Sequence, residues 1–289
     1  MKPFVFKKPW PDLNLPIDLK NEWVNKSLAM DTSSESILNN LKEKLLDEVK
    51  ASRVPAVLLD LDSTLLCVNS RSRSIFSAYL RTLDKVPDLW WKVFFYWNIQ
   101  HHTYSIRETI ENVMKDLGTE DALQKSYFLW KDFESFWMEH FFSSRFMDQD
   151  EAYEGAVQWV REIKKLGLQI VYLSGRDRIS SMHGTLNRLQ VLGFPMGEGT
   201  RVFLKPGTRD SMTDLEFKIK ASELLSHQYR VLLSIDNEPE NLIPMAKYFP
   251  EADIVWKLTV MSWRIPEDKK MKFSLGNRKL LCLTKFANQ

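Results

Sequence analysis

Three features of this 289-residue sequence predict an α/β fold: a doubly wound parallel sheet interrupted by one α-helical insert. Short apolar runs alternate with amphipathic helical segments between residues 54 and 257. Each run stops at a polar cluster. Residues 67–149 break the alternation with aromatic sequence at helical spacing. Strands that alternate with helices lie parallel, and parallel strands buried on both faces read as unbroken apolar runs. Ligands sit outside the carboxyl ends of such strands, so the polar clusters mark the working end of the sheet.

Residues 1–35 mix Pro3, Pro9, Pro11 and Pro16 with Phe4, Phe6, Trp10 and Trp23 without a period, and read as an irregular arm. Residues 34–50 are expected to be helical, because Ile37, Leu38, Leu41, Leu45, Leu46 and Val49 recur at helical spacing among Lys and Glu. Residues 1–50 therefore form an arm and helix that lead to the core. Residues 55–59 are uncharged and end at Asp60, as a buried strand does at a loop. If the chain stays extended through Leu61, Asp60 and Asp62 point the same way and Leu61 faces the core. Two carboxylates so close are expected to share a proton or a cation.

The insert, residues 67–149, carries Trp90, Trp91, Phe94, Phe95, Tyr96 and Trp97 in one cluster. Tyr127, Phe128, Trp130, Phe133, Phe136, Trp137, Phe141 and Phe142 form another. Their spacing is helical, and they are expected to form the insert's own core, with some lining a pocket for an apolar or planar group. Arg71 and Arg73, at its mouth, read as a solvated hinge, with contact to a substrate anion as the alternative. A helix is expected at 151–165, with Ala156, Val157, Val160 and Ile163 inward and Gly167 as its C-cap. Strands follow at 168–173, ending at Ser174-Gly175-Arg176-Asp177, and at 201–204, ending at Lys205. A helix at 213–226 precedes a strand at 231–235 that ends at Asp236-Asn237-Glu238-Pro239-Glu240-Asn241, and 252–256 is a short last strand. The core is thus 51–66 with 150–260. Residues 261–289 form a basic tail carrying Arg264, Lys269, Lys270, Lys272, Arg278, Lys279 and Lys285. It reads as a solvated face, or alternatively as a contact for a phosphate-bearing partner.

Composition narrows the class. Forty basic and thirty-eight acidic residues give a net charge of +2, which demands no polyanionic partner. Two cysteines, Cys67 and Cys282, are too few for a disulfide framework and suit a reducing compartment. No window has the apolar length of a signal peptide or a membrane span, so a cytoplasmic protein with no membrane partner is expected. His101, His102, His140, His183 and His227 lack zinc-ligand spacing.

Asp60-Leu61-Asp62-Ser63-Thr64 resembles the first motif, Asp-x-Asp-x-Thr, of the haloacid dehalogenase (HAD) superfamily of phosphohydrolases. Ser174, a lysine near the fourth strand and the acids from Asp236 to Glu240 match the remaining motifs in order. The resemblance covers residues 54–66 and about 150–257 and implies a Rossmann-like, HAD-like core. The insert stands where that superfamily places its helical C1 cap, a lid over the site. In the resembling family Asp60 is the nucleophile and Asp62 the general acid and base. Asp60, the backbone carbonyl of Asp62 and Asp236 hold Mg2+, while Thr64, Ser174, the amide of Gly175 and a lysine hold the phosphoryl group. Gly175 is expected at the start of the next helix, where anions are welcome. Lys218 is the choice for the lysine, with Lys220 and Lys205 as rivals. Asn237 departs from the commonest pattern of two adjacent aspartates, which leaves Asn237 and Glu240 as candidate outer-shell groups.

The reading implied is a magnesium-dependent phosphomonoesterase that forms an aspartyl-phosphate and acts on a small phosphorylated substrate. A phosphatase of nucleic-acid 3′ ends is the enzymatic alternative. A HAD-fold binding protein without turnover is the other. Neither substrate nor oligomeric state is legible.

Overall fold

The structure, a computed structural model, describes residues 30–46, 53–119, 127–207, 212–260 and 280–286. The arm's Phe4, Phe6, Trp10 and Trp23, the helix end at 47–50 and the basic residues from Arg264 to Lys279 lie outside them.

Strand β2 (Val54–Leu59) is central to a seven-stranded sheet of order β1-β9-β8-β7-β2-β5-β6, parallel throughout. On one side stand β5 (Gln169–Asp177) and β6 (Thr200–Lys205). On the other stand β7 (Tyr229–Asp236), β8 (Asp253–Lys257), β9 (Leu280–Leu283) and β1 (Met30–Asp31). The strand order reverses at β2, so its carboxyl end opens between β5 and β7. The period of two explains the unbroken apolar run: Val57 and Leu59 enter one core, Ala56 and Leu58 the other.

Helices cover both faces. Helix α1 (Ser34–Leu46) buries Ile37 and Leu41 against the first core. Its neighbour α6 (Ala156–Lys165) buries Ala156, Trp159, Val160 and Ile163, and Val157, also expected inward, is partly buried against the same core. Helix α8 (Asp214–Gln228) and α9 (Pro239–Tyr248) cover the second face, and α8 starts at a capping box formed by Thr213 and Glu216.

Three expectations change. The helix expected at 151–165 begins only at Ala156, after Gly155 at φ 78°. Glu151–Ala152 is instead strand β4, paired antiparallel with β3 (Leu66–Cys67). The two ends of the insert must meet, and this clasp joins them. Leu280–Leu283, inside the expected tail, and Met30–Asp31, inside the expected arm, are sheet strands. Their apolar content was masked by basic and proline-rich surroundings.

The insert folds on a core of its own. Helices α2 (Asn69–Leu80), α3 (Asp88–Tyr96), α4 (Ile106–Asp116) and α5 (Tyr127–Phe141) enclose Phe76, Tyr79, Trp90, Trp97, Trp130 and Phe133. Phe76 meets Phe133 edge-on, with ring centroids 4.9 Å apart, a favourable aromatic geometry. Most of the aromatic clusters are therefore core, as expected, though Phe95 and Phe128 are exposed. A cavity of about 20 Å3, lined by Val68, Ser72, His102, Trp137 and Phe141 among others, has room for about one water. Among the described residues, neither buried ring nitrogen of His102 has a hydrogen-bond partner. Burial, helped by the charge of Arg71, pushes His102 down to about 4 from 6.5. The unfolded chain binds this proton more readily, so stability is full above about pH 6.5 and is lost as pH falls towards 4. A loss of roughly 2–3 kcal/mol is expected from this group over that window. His102→Gln should remove that part of the acid lability, read from urea midpoints at pH 7 and 4.5 in both proteins.

The insert returns through a 3-10 segment (Ser144–Gln149) that lies against helix α7 (Arg178–Leu192). Ser144 Oγ donates to the Ser180 carbonyl (2.8 Å) and accepts from the Gly184 amide (3.1 Å). Ser180 Oγ donates to the Phe142 carbonyl (2.7 Å). A Cβ on Gly184 would lie 2.9 Å from Ser144 Cα and 3.0 Å from its carbonyl oxygen. Gly184→Ala should therefore destabilise by about 1–2 kcal/mol: the backbone clash outweighs the gain in helix propensity. Urea denaturation checks this.

Candidate active site

Strand β2 delivers Asp60 to the opening between β5 and β7, where its amide donates to the Ile235 carbonyl at 3.1 Å. Lys218, on the inward face of α8, donates to Asp60 Oδ1 at 2.6 Å and also to Asp236 Oδ2. All three are buried. Asp236 Oδ1 accepts from the Glu238 amide (2.8 Å) and from Asn241 Nδ2 (3.2 Å). Burial pushes the Asp60 carboxyl up to about 7, against the pull of Lys218 and with the charge of Asp236 adding to the rise. Burial works against the Lys218 ammonium too, but Asp236 and Asp60 outweigh it and raise its pKa. Two carboxylates facing one ammonium leave an excess of negative charge. Oxygen donors around such a deficit suit a hard cation, and Asp60 and Asp236 are the side chains that would hold it. Lys205 is engaged elsewhere, with Asp214 at 2.9 Å, and Lys220 is exposed, so Lys218 is the lysine at this site.

Asp62 has separate partners. Leu61 faces the core as expected, and the Asp62 side chain pairs with arginines while Asp60 pairs with Lys218. Its Oδ1 accepts from Arg71 Nη2 (2.9 Å) and from Arg176 Nε (3.1 Å) and Nη2, and its Oδ2 accepts from Arg176 Nε (3.2 Å). Asp150 completes the cluster, taking Arg71 Nε (2.7 Å) and Arg176 Nη2 (2.6 Å). Burial would raise the Asp62 carboxyl, but Arg176 and then Arg71 outweigh it and hold it below the ordinary range. Arg71 is fully buried and stacks over Phe141, 4.3 Å from the ring centroid, so the expected solvated hinge is a buried ion pair. Arg73 stacks on Phe94 at 4.7 Å.

Three further expected groups fall differently. Thr64 is fully buried, and its hydroxyl accepts from the Asn237 amide (3.0 Å) and lies 3.2 Å from Asn237 Oδ1, tying two loops together, while its side chain also hydrogen-bonds Asp60. Gly175 lies within β5, and α7 starts only at Arg178 with Asp177 as its N-cap, so the Gly175 amide is not at a helix start. A Cβ there would meet the Asp214 carboxylate carbon at 2.6 Å, so a larger residue would require that exposed side chain to turn away. Asn237 spends its amide on Thr64 and on the Val260 carbonyl (2.5 Å), away from Asp236's partners. Ser174 stands buried within β5, three residues before its end, its Oγ accepting from the Arg176 amide at 3.3 Å, and Glu240 lies in the first turn of α9. The sequence offered Arg71 only as a solvated hinge or a contact for a substrate anion, and gave no role to Arg176 or Asp150. Only the position of Arg176, two residues past Ser174 on a strand, signalled it.

Fold and site together define a parallel α/β protein with a buried, lysine-countered pair of carboxylates at the carboxyl end of its central strand, beside a helical insert whose Arg71 reaches Asp62. Among described residues no helix is long and apolar enough to cross a membrane. No protein-family model matches the chain, and no curated protein matches it. Among solved structures, it is similar to a HAD-superfamily hydrolase from Ehrlichia chaffeensis, at 14% identity over 74% of this chain and 93% of that one, TM-score 0.40. It is also similar to a haloacid dehalogenase-like hydrolase from Streptococcus pneumoniae, at 10% identity over 79% and 93%, TM-score 0.41. A HAD family hydrolase from Deinococcus radiodurans with bound phosphate and sodium is similar at 16% identity over 80% and 92%, TM-score 0.37. Likeness at this level says nothing of activity, which must be read from the site.

Proposed function

We propose that the chain is a magnesium-dependent phosphomonoesterase that acts on a small phosphorylated substrate through an aspartyl-phosphate on Asp60. The observation that carries this reading is the Asp60–Lys218–Asp236 cluster, with its 2.6 Å Lys218–Asp60 contact, at the carboxyl end of β2. An Asp60 oxygen attacks phosphorus while the bond to the leaving oxygen breaks; water then attacks the same phosphorus and returns Asp60 as a carboxylate. Lys218 offsets the charge of the incoming dianion, and the Ser174 hydroxyl would donate to it. Asp62, held ionised by Arg71 and Arg176, is set in this state to take the proton of the attacking water; giving a proton to the leaving group requires those bonds to loosen. Held by Asp60, Asp236 and the Asp62 carbonyl, Mg2+ would supply the positive charge that a dianion needs beside a carboxylate. The insert acts as a cap that excludes bulk water and selects the leaving group. Two buried free cysteines fit a reducing, cytoplasmic setting.

The test is a panel of phosphorylated metabolites, an aryl phosphate and 3′-phosphorylated oligonucleotides, assayed for released phosphate with Mg2+ or with a chelator. Release from small esters that stops on chelation is expected. Release unaffected by chelator, or confined to oligonucleotides, would overturn the metal or the substrate class respectively.

A further inference from the structure

We infer that residues 256–260 are a positioning strap that locks the loop after β2 to the loop after β7, and that Asn237 and Thr259 are its two fasteners. Ser63 is the described non-glycine residue with positive φ, at 59°. Such a conformation costs energy and persists only where surroundings enforce it. The enforcement is visible. The Thr259 hydroxyl donates to the Ser63 carbonyl, and the Ser63 amide donates to the Leu66 carbonyl at 2.7 Å. From the other loop, Asn237 uses every polar group it has. Its amide and Oδ1 engage Thr64, its Nδ2 donates to the Val260 carbonyl (2.5 Å), and its own carbonyl accepts from Trp256 Nε1 (3.0 Å).

The strap is itself anchored from behind. Lys257 Nζ donates to the Thr284 carbonyl (2.6 Å) and lies over the rings of Tyr153 and Phe286, at 5.3 and 5.2 Å. The Leu258 amide donates to the Leu283 carbonyl at 3.0 Å. Ser63, Thr64, Asn237, Lys257 and Thr259 are all buried, so water cannot replace these bonds. Asp60, at the start of one of the loops so joined, and Asp236, the last residue of β7 and the lead into the other, are the two carboxylates on Lys218. Asn237 is thus a fastener whose amide is already spent, and not a group held in reserve for a cation. An aspartate there would set a carboxylate oxygen against the Val260 carbonyl.

The kinetic consequence rests on the phosphatase reading; the structural one does not, so the test has two arms. Hydrogen exchange by mass spectrometry on the full chain compares wild type, Thr259→Val, Thr259→Ser and Asn237→Asp. In Thr259→Val, exchange over residues 60–67 should rise about tenfold while the rest of the sheet is unchanged. Thr259→Ser, which keeps the hydroxyl, should restore the wild-type rate. Asn237→Asp should loosen both loops without tightening binding of Mg2+ alone. In the kinetic arm, Thr259→Val should lower kcat on an aryl phosphate at unchanged KM, again rescued by Ser. Unchanged exchange over 60–67 in Thr259→Val, a uniform rise across the core, or tighter Mg2+ binding in Asn237→Asp would overturn the strap. Wild type that releases no phosphate but shows the expected exchange pattern would sink the phosphatase reading and leave the strap standing.

Discussion

Asp60→Asn is expected to release phosphate from an aryl phosphate at least about 10^4-fold more slowly than wild type, in a protein that still folds. An amide oxygen is a poor nucleophile at phosphorus, and no other described carboxylate shares the lysine except Asp236, which sits on the neighbouring strand with both oxygens already bonded. Stability should hold, because burial already pushes Asp60 up to about 7 and a neutral side chain there costs less to desolvate. Lys218 keeps Asp236 as its partner. Phosphate release and a thermal melt on the same preparation separate the two effects. Turnover within about tenfold of wild type would remove Asp60 from the nucleophile's role.

Arg176→Met is expected to be the most damaging to stability. Arg176 is buried and donates to Asp62, to Asp150 and, at 3.1 Å, to Thr185 Oγ1. Its removal leaves two carboxylates to Arg71 alone, and breaking a buried pair by deleting one partner costs about 3–5 kcal/mol. A drop of roughly 10 °C in Tm follows for a chain of this size. Asp150→Asn in the Arg176→Met background should recover part of the loss, since the two residues share one network. Urea denaturation of both singles and the double measures it. A single variant within about 1 kcal/mol of wild type would mean that the cluster is not what holds Asp62 in place.

Both outcomes concern groups of different legibility. Asp60 was readable because it ends an apolar run, and the preference of catalytic groups for strand ends is a property of the fold class. Lys218 was readable as one of three lysines, and helical phase favoured it over Lys220. Arg71 was read as solvated because its neighbours in sequence, Ser70, Ser72 and Ser74, are polar; its partners Asp62 and Asp150 come from the two ends of the insert. Thr64 fitted a motif, yet only the packing of the β7 loop shows that its hydroxyl also engages Asn237.

By itself the sequence determined the alternation of strand and helix, the interruption by a helical insert and the strand ends at which chemistry-bearing side chains emerge. These follow from periods of two and 3.6 residues, which are local properties of a polypeptide. Only the tertiary structure decided that β1 and β9 extend the sheet, that Asp60 and Asp62 answer to different cations, and that a strap ties the two loops together. Those contacts join residues 79, 114, 173 or 196 positions apart. Ion pairing and hydrogen bonding have no sequence period, so such partners become visible only once the chain has closed on itself.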